Sequence, residues 1–138
     1  MTRAPVLQFR IQMPVDEAEC AVREALQERG FGILTEVDVA ATLRTKLGIE
    51  TPPHRLLGAC NPRLAHTALE AEPSAGAFLP CGIALREGPS KGETIAALQN
   101  PGMLAETFAS PGLAAPAEEA LALLRAALES VGEPLERP

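Results

Sequence analysis

The sequence predicts an α+β fold, a mainly antiparallel sheet of four to five strands with helices packed on one face. Three observations lead there. Leu7, Phe9, Ile11 and Met13 alternate with Gln8, Arg10 and Gln12, the period-2 signature of a strand with one buried face. Further on, strands fall in adjacent pairs, and one pair is joined by a tight turn at Gly88-Pro89-Ser90-Lys91-Gly92. Among them stand capped stretches whose apolar residues recur at helical spacing.

Each element has its own signal. Pro14 stops the first strand. Asp16, three residues before Glu19, reads as an N-cap with a capping box, and Val15 as half of a hydrophobic staple. The helix predicted over Glu17 to Arg29 carries Ala18, Val22, Ala25 and Leu26 on one stripe, with Gly30 as its C-cap. A second strand places Ile33, Val37 and Val39 on one face and Glu36 and Asp38 on the other. Ala40 to Leu47 reads as a short helix ended by Gly48, followed by a rigid turn at Pro52-Pro53. Arg55 to Ala59 is a buried strand by composition. Asn61 is a good cap and Pro62 a good first helical residue, so a helix runs from there to about Ala71. Leu79, Cys81, Ile83 and Leu85 share a face of the next strand, and Thr94 to Leu98 returns beside it until Asn100-Pro101-Gly102 breaks it. Met103 to Phe108 forms a helical turn, Ser110-Pro111-Gly112 a loop, and the last helix starts near Pro116. Leu121, Leu124, Leu128 and Val131 make its stripe and Gly132 ends it.

A chain of 138 residues reads as one domain, residues 1–138, with a tail that frays from about 133. Apolar residues at 46% and charged residues at 22% are ordinary globular usage and exclude wholesale disorder. Twelve basic against eighteen acidic side chains leave a net charge of -6, which argues against a nucleic-acid partner. With no Trp or Tyr and only 4 Phe, a base-stacking platform lacks its parts as well. No run of apolar residues approaches the length of a spanning helix, and Met1-Thr2-Arg3-Ala4-Pro5 is not followed by the block of a signal peptide. The expectation is a cytoplasmic protein without a membrane partner. Thirteen Pro and only Asn61 and Asn100 as asparagines suit a heat-adapted source, or equally a high-GC codon bias.

Three Cys are too few and too scattered for a secreted disulfide framework. Cys20 falls half a turn from its helix stripe and faces solvent or the edge. Cys60 ends a strand immediately before a helix cap, where unpaired N–H groups and the helix dipole stabilise a thiolate. Cys81 lies on the apolar face of a later strand. A helix between two strands of one sheet can return the chain beside its starting strand, which brings Cys60 and Cys81 together with Asn61 alongside. Both also suit plain core packing, since free Cys is among the most buried residue types. His54, in the loop after Pro52-Pro53, is near Cys60 in sequence and can be oriented toward it. His66 sits on the polar side of its helix. No metal site is expected, because a structural zinc site needs four clustered Cys and His ligands. Phosphate loops, dinucleotide fingerprints and nucleophile elbows are missing, so no cofactor is implied; Gly30-Phe31-Gly32 follows a helix where the dinucleotide motif must open one.

One pattern is specific as a whole. Arg55-Leu56-Leu57-Gly58-Ala59-Cys60-Asn61-Pro62 is followed by Leu64, Ala65 and Leu69, then by Gly76-Ala77-Phe78-Leu79-Pro80-Cys81, and beyond the hairpin by Asn100-Pro101. This pairing of Cys-Asn-Pro with Leu-Pro-Cys resembles the family catalogued as domain of unknown function 302. The opening strand, the helix ending in Gly30-Phe31-Gly32 and the strand after it are similar too. The family usually carries Asp where this chain has Asn100. The resemblance implies a TATA-binding-protein-like α+β fold with a curved sheet, often paired as a homodimer. It implies no activity, since similar sheets serve unrelated functions.

The sequence therefore points to a non-enzymatic ligand-binding or protein-interaction module, with Cys60, Asn61, Cys81 and His54 as candidate binding residues and a small molecule as ligand. The alternative is thiol chemistry on Cys60 and Cys81: redox, sulfur transfer or metal handling.

Overall fold

The computed structural model describes residues 4–135. Strand β1 (Val6–Ile11) is followed by helix α1 (Val15–Gln27), and strand β2 (Gly32–Asp38) by helix α2 (Val39–Leu47). Strand β3 (His54–Cys60) leads into helix α3 (Pro62–Ala71), then a 3-10 helix (Pro73–Phe78) and strand β4 (Cys81–Glu87). Strand β5 (Thr94–Gln99), helices α4 (Gly102–Phe108) and α5 (Pro111–Glu129) and strand β6 (Glu133–Pro134) follow among the described residues. The strands form one sheet in the order β2-β3-β4-β5-β1-β6, antiparallel at every neighbouring pair.

Alternation decides the core. Phe9 and Ile11 of β1, Leu57 and Ala59 of β3, Cys81, Ile83 and Leu85 of β4, and Ala96 and Leu98 of β5 all point to one face. Against them pack Ala18, Val22 and Leu26 of α1, Leu64 of α3, and Leu124 and Leu128 of α5. Residues at the intervening positions, such as Leu56 and Val37, remain exposed on the other face.

The sheet has six strands rather than four to five, because the tail does not fray at 133. Glu133 and Pro134 pair with Arg10 and Phe9, and the Leu135 N–H donates to the Gln8 carbonyl at 2.9 Å. An ion pair from Arg10 Nη1 to Glu133 Oε1 at 3.4 Å holds the same contact. The rest of that expectation, for 136–138, lies outside the described residues, as does the reading of Met1, Thr2 and Arg3.

Other boundaries differ for physical reasons. Helix α1 starts at Val15 with Pro14 as its cap residue, so Asp16 and Glu19 do not form a capping box. Their carboxylates are taken by Arg55, at 2.9 Å from Asp16 Oδ1 and 2.7 Å from Glu19 Oε1. A bulge between Ile33 and Thr35 shifts the register of β2, which sends Ile33 and Val37 to opposite faces. Glu36 and Asp38 thereby reach Arg23 (3.0 Å) and Arg55 (3.6 Å). Helix α5 starts at Pro111, five residues before Pro116, with Ser110 in the cap position. Pro116 costs that helix one hydrogen bond early in its length and is itself buried.

Candidate functional site

The end of β3 and the start of β4 build the site. Ala59 stands opposite Cys81 in antiparallel register, so Cys60 and Cys81 sit diagonally across the strand pair. The sequence-based expectation that the two meet beside Asn61 describes this corner of the fold. Asn61 then caps α3: its Oδ1 accepts the Leu64 N–H at 3.3 Å, and Pro62 opens the helix. Behind the cap, α1 closes with the Phe31 N–H donating to the Leu26 carbonyl at 3.0 Å, which requires Gly30 at φ +82°. That turn brings residue 30 against the Asn61 amide; a Cβ there would stand 3.2 Å from Nδ2.

Above this corner lies a cavity of about 40 Å³, partly open to solvent. Its sheet-side wall is Ala59, Cys60, Asn61 and Cys81, with Phe31 behind. Leu64, Ala65 and Ala68 of α3 form a second wall, and Leu113, Pro116, Ala117 and Ala120 of α5 a third. Leu79, Pro101 and Leu104 complete it. The lining is apolar apart from the two thiols and the Asn61 side chain, and the small residues Ala65, Ala68, Ala117 and Ala120 keep it from filling.

Both thiols are free, Cys81 buried and Cys60 half-buried. Burial pushes the Cys81 thiol up to about 11, and the nearby Cys60 adds to the shift. Burial raises Cys60 too, which corrects the expectation of a thiolate stabilised by the helix start. At the same corner Pro62 has no N–H, and the Leu64 N–H is already given to Asn61.

The remaining candidates lie elsewhere. His54 is at the far end of β3, opposite Arg86, six residues from Cys60. Strand rise puts that separation at about 20 Å, so His54 cannot orient toward the thiols. His66 pairs with Glu70 at 2.5 Å on the exposed side of α3. Cys20 is exposed on α1, as its position off the stripe requires. Asn100 is buried, with Nδ2 donating to the Ala4 carbonyl and Oδ1 accepting from the Gly102 N–H, both at 2.9 Å. It ties the end of β5 to the chain start and delivers Pro101 to the cavity.

The α5 wall is what sequence reasoning missed. Ser110-Pro111 has the same cap-then-proline form as Asn61-Pro62, and that signal gives the true helix start. From there Leu113, Ala117 and Ala120 fall at helical spacing on the face that meets α3.

A model of the family described as Domain of unknown function DUF302 matches residues 7–131. The chain belongs to this family. The matched span includes Cys60-Asn61-Pro62 and Leu79-Pro80-Cys81, which give Cys60, Asn61, Leu79 and Cys81 to the cavity wall. Among solved structures the chain is similar to the crystal structure of an uncharacterized conserved DUF302 protein from Bacillus stearothermophilus. That likeness has a TM-score of 0.84 at 26% identity and covers 94% of this chain and 99% of the other. A comparison with the curated proteins found no match. The DUF302 fold is thus the expected α+β class, in a family whose function is not established. No helix among the described residues is long and apolar enough to cross a membrane.

Proposed function

We propose that this DUF302 protein is a binding module that takes a short aliphatic group into the cavity between α3, α5 and the thiol corner of the sheet. The observation that carries the reading is an apolar, partly open cavity of about 40 Å³ whose walls come from five separate chain segments. Ligand sites are concave and mostly apolar with a few placed polar groups, and here Asn61 and the half-buried Cys60 are those groups. The volume suits a few non-hydrogen atoms, which favours the end of an alkyl chain over a ring system. Thiol catalysis has less support, because burial holds both thiols neutral at physiological pH, where a nucleophile needs the thiolate.

Saturation-transfer NMR with n-butanol and n-hexanol tests the reading. Transfer to the native protein is expected, with loss in Ala117→Leu, whose added side chain fills the cavity from α5. Equal transfer in both proteins, or none at millimolar alkanol, overturns it.

We propose in addition that the protein pairs as a homodimer through β2. One sheet edge is closed by β6, a two-residue strand containing Pro134, whereas the other is the seven-residue β2 with Leu34 66% and Val37 44% exposed. An open, apolar edge strand is a template for another strand, and a second copy across a two-fold axis supplies one in antiparallel sense.

A further inference from the structure

We propose, resting on the cavity reading above, that its ligand is a neutral aliphatic carbonyl compound, such as a short ketone, whose oxygen accepts from the Asn61 amide Nδ2.

Asn61 carries an unspent donor in the cavity wall. Its Oδ1 accepts the Leu64 N–H at 3.3 Å, which sets the orientation of the amide and leaves Nδ2, with two N–H groups, as the free end. The residue is only 9% exposed, and Nδ2 has no acceptor among the described residues. It is not sealed in. The fully enclosed side-chain atoms without a partner, among the described residues, are Arg10 Nε, Thr51 Oγ1 and Glu93 Oε1. Nδ2 therefore keeps access to open space. Gly30, bare of a side chain, stands beside it, where a Cβ would come to 3.2 Å. The next residue, Phe31, is itself cavity wall. A donor held out of water without a partner is costly, and a ligand that meets it gains affinity.

The rest of the wall narrows the class. No Arg, Lys, His, Asp or Glu side chain lines the cavity. A carboxylate or an ammonium group would leave water there and find no countercharge. Burial keeps both thiols neutral, and a thiol is a weak partner as donor or acceptor. A hydroxyl brings a proton that needs an acceptor, and Asn61 Oδ1 is already engaged by Leu64. A carbonyl oxygen needs donors alone, and the walls of Leu64, Ala68 and Ala117 suit the alkyl arms on either side of it. Binding of this kind makes and breaks no covalent bond.

The full native chain is titrated by NMR with 2-butanone and with 2-methyl-1-butene, the same shape with a methylene group in place of oxygen. The ketone is expected to bind about tenfold more tightly, the weight of one net hydrogen bond. Propionate, a charged analogue of similar size, should not compete with it. The infrared carbonyl stretch of bound 2-butanone should lie below its value in hexane, the mark of a hydrogen-bonded oxygen. In Asn61→Ser, which still caps α3, the preference over the alkene and the lowered stretch should both be lost while circular dichroism keeps the helix content. Asn61→Asp retains the acceptor for Leu64, removes the donors and should lose the preference likewise. Equal binding of ketone and alkene to the native protein leaves the cavity standing as a site and overturns the carbonyl assignment. Binding of neither overturns the cavity reading itself, and this assignment with it. A stretch at its hexane value, propionate bound as tightly as the ketone, or an unchanged preference in Asn61→Ser also overturns the assignment.

Discussion

The side chain of Asn100 ties the start of the chain to the end of β5: its Nδ2 donates to the Ala4 carbonyl at 2.9 Å. Its Oδ1 accepts the Gly102 N–H, so both ends of the amide are used in a site only 5% exposed. A carboxylate at this position can keep the second bond only.

Asn100→Asp is therefore expected to destabilise this protein by about 1–3 kcal/mol at pH 7, the cost of leaving a buried carbonyl facing an acceptor. A protonated carboxyl can donate, so the deficit should shrink as the pH falls toward 4. Urea melts of the two proteins across that range check both statements; equal stability at pH 7 counts against the first.

Gly58 lies under Thr35 and Pro80. A Cβ there would run into Thr35 Oγ1 and stand 2.5 Å from Pro80 Cγ, whereas nothing lies within 4 Å of a Cβ on Gly32 in the neighbouring strand. Gly58→Ala should lower stability by about 1–3 kcal/mol through overpacking. Gly32→Ala should be close to neutral. Thermal melts of the pair distinguish a steric effect from a general intolerance of alanine.

Arg55 joins three elements through Asp16, Glu19 and Asp38. Its partner Glu19 is 8% exposed and otherwise keeps only Arg23. Arg55→Ala leaves that carboxylate half-compensated and should cost about 1–3 kcal/mol, less than a fully buried pair because Arg55 reaches solvent. Arg63, paired with Glu119 on the surface, should be replaceable by Ala with little effect. Chemical denaturation at low and high salt ranks the two.

The thiols give a pH signature. Cys81 has a folded value of about 11 against an ordinary thiol value of 9.0, so the unfolded chain ionises first. Stability from this group is complete below pH 9 and is lost as the pH climbs to 11, by about 2–3 kcal/mol. Cys81→Ala should flatten that part of the profile. Alkylation by iodoacetamide at pH 8 should modify Cys20 first, Cys60 more slowly and Cys81 last, as read by mass spectrometry.

Light scattering should return a dimer mass at micromolar concentration. Leu34→Lys with Val37→Lys charges the β2 edge and should give the monomer without loss of helix or strand content. A native protein that is already monomeric at high micromolar concentration rejects the homodimer.

Sequence by itself determined the elements whose signals are local. Alternation from Leu7 to Ile11 made β1, and the Asn61-Pro62 pair set the start of α3. The adjacency of Cys60 and Cys81 was legible as well, because a helix between two strands commonly returns the chain to its neighbour. Tertiary structure decided what depends on distant partners. Asp16 was free to cap α1 until Arg55, on another strand, claimed its carboxylate. Residues 133–135 have no strand signal of their own and pair only because β1 offers an edge there. The Cys60 environment turned on burial, which no local pattern records. His54 was placed near Cys60 by sequence distance, but an extended strand holds its two ends about 20 Å apart. The cavity needed α5 laid against α3, a contact between segments some fifty residues apart that only the packed fold brings together.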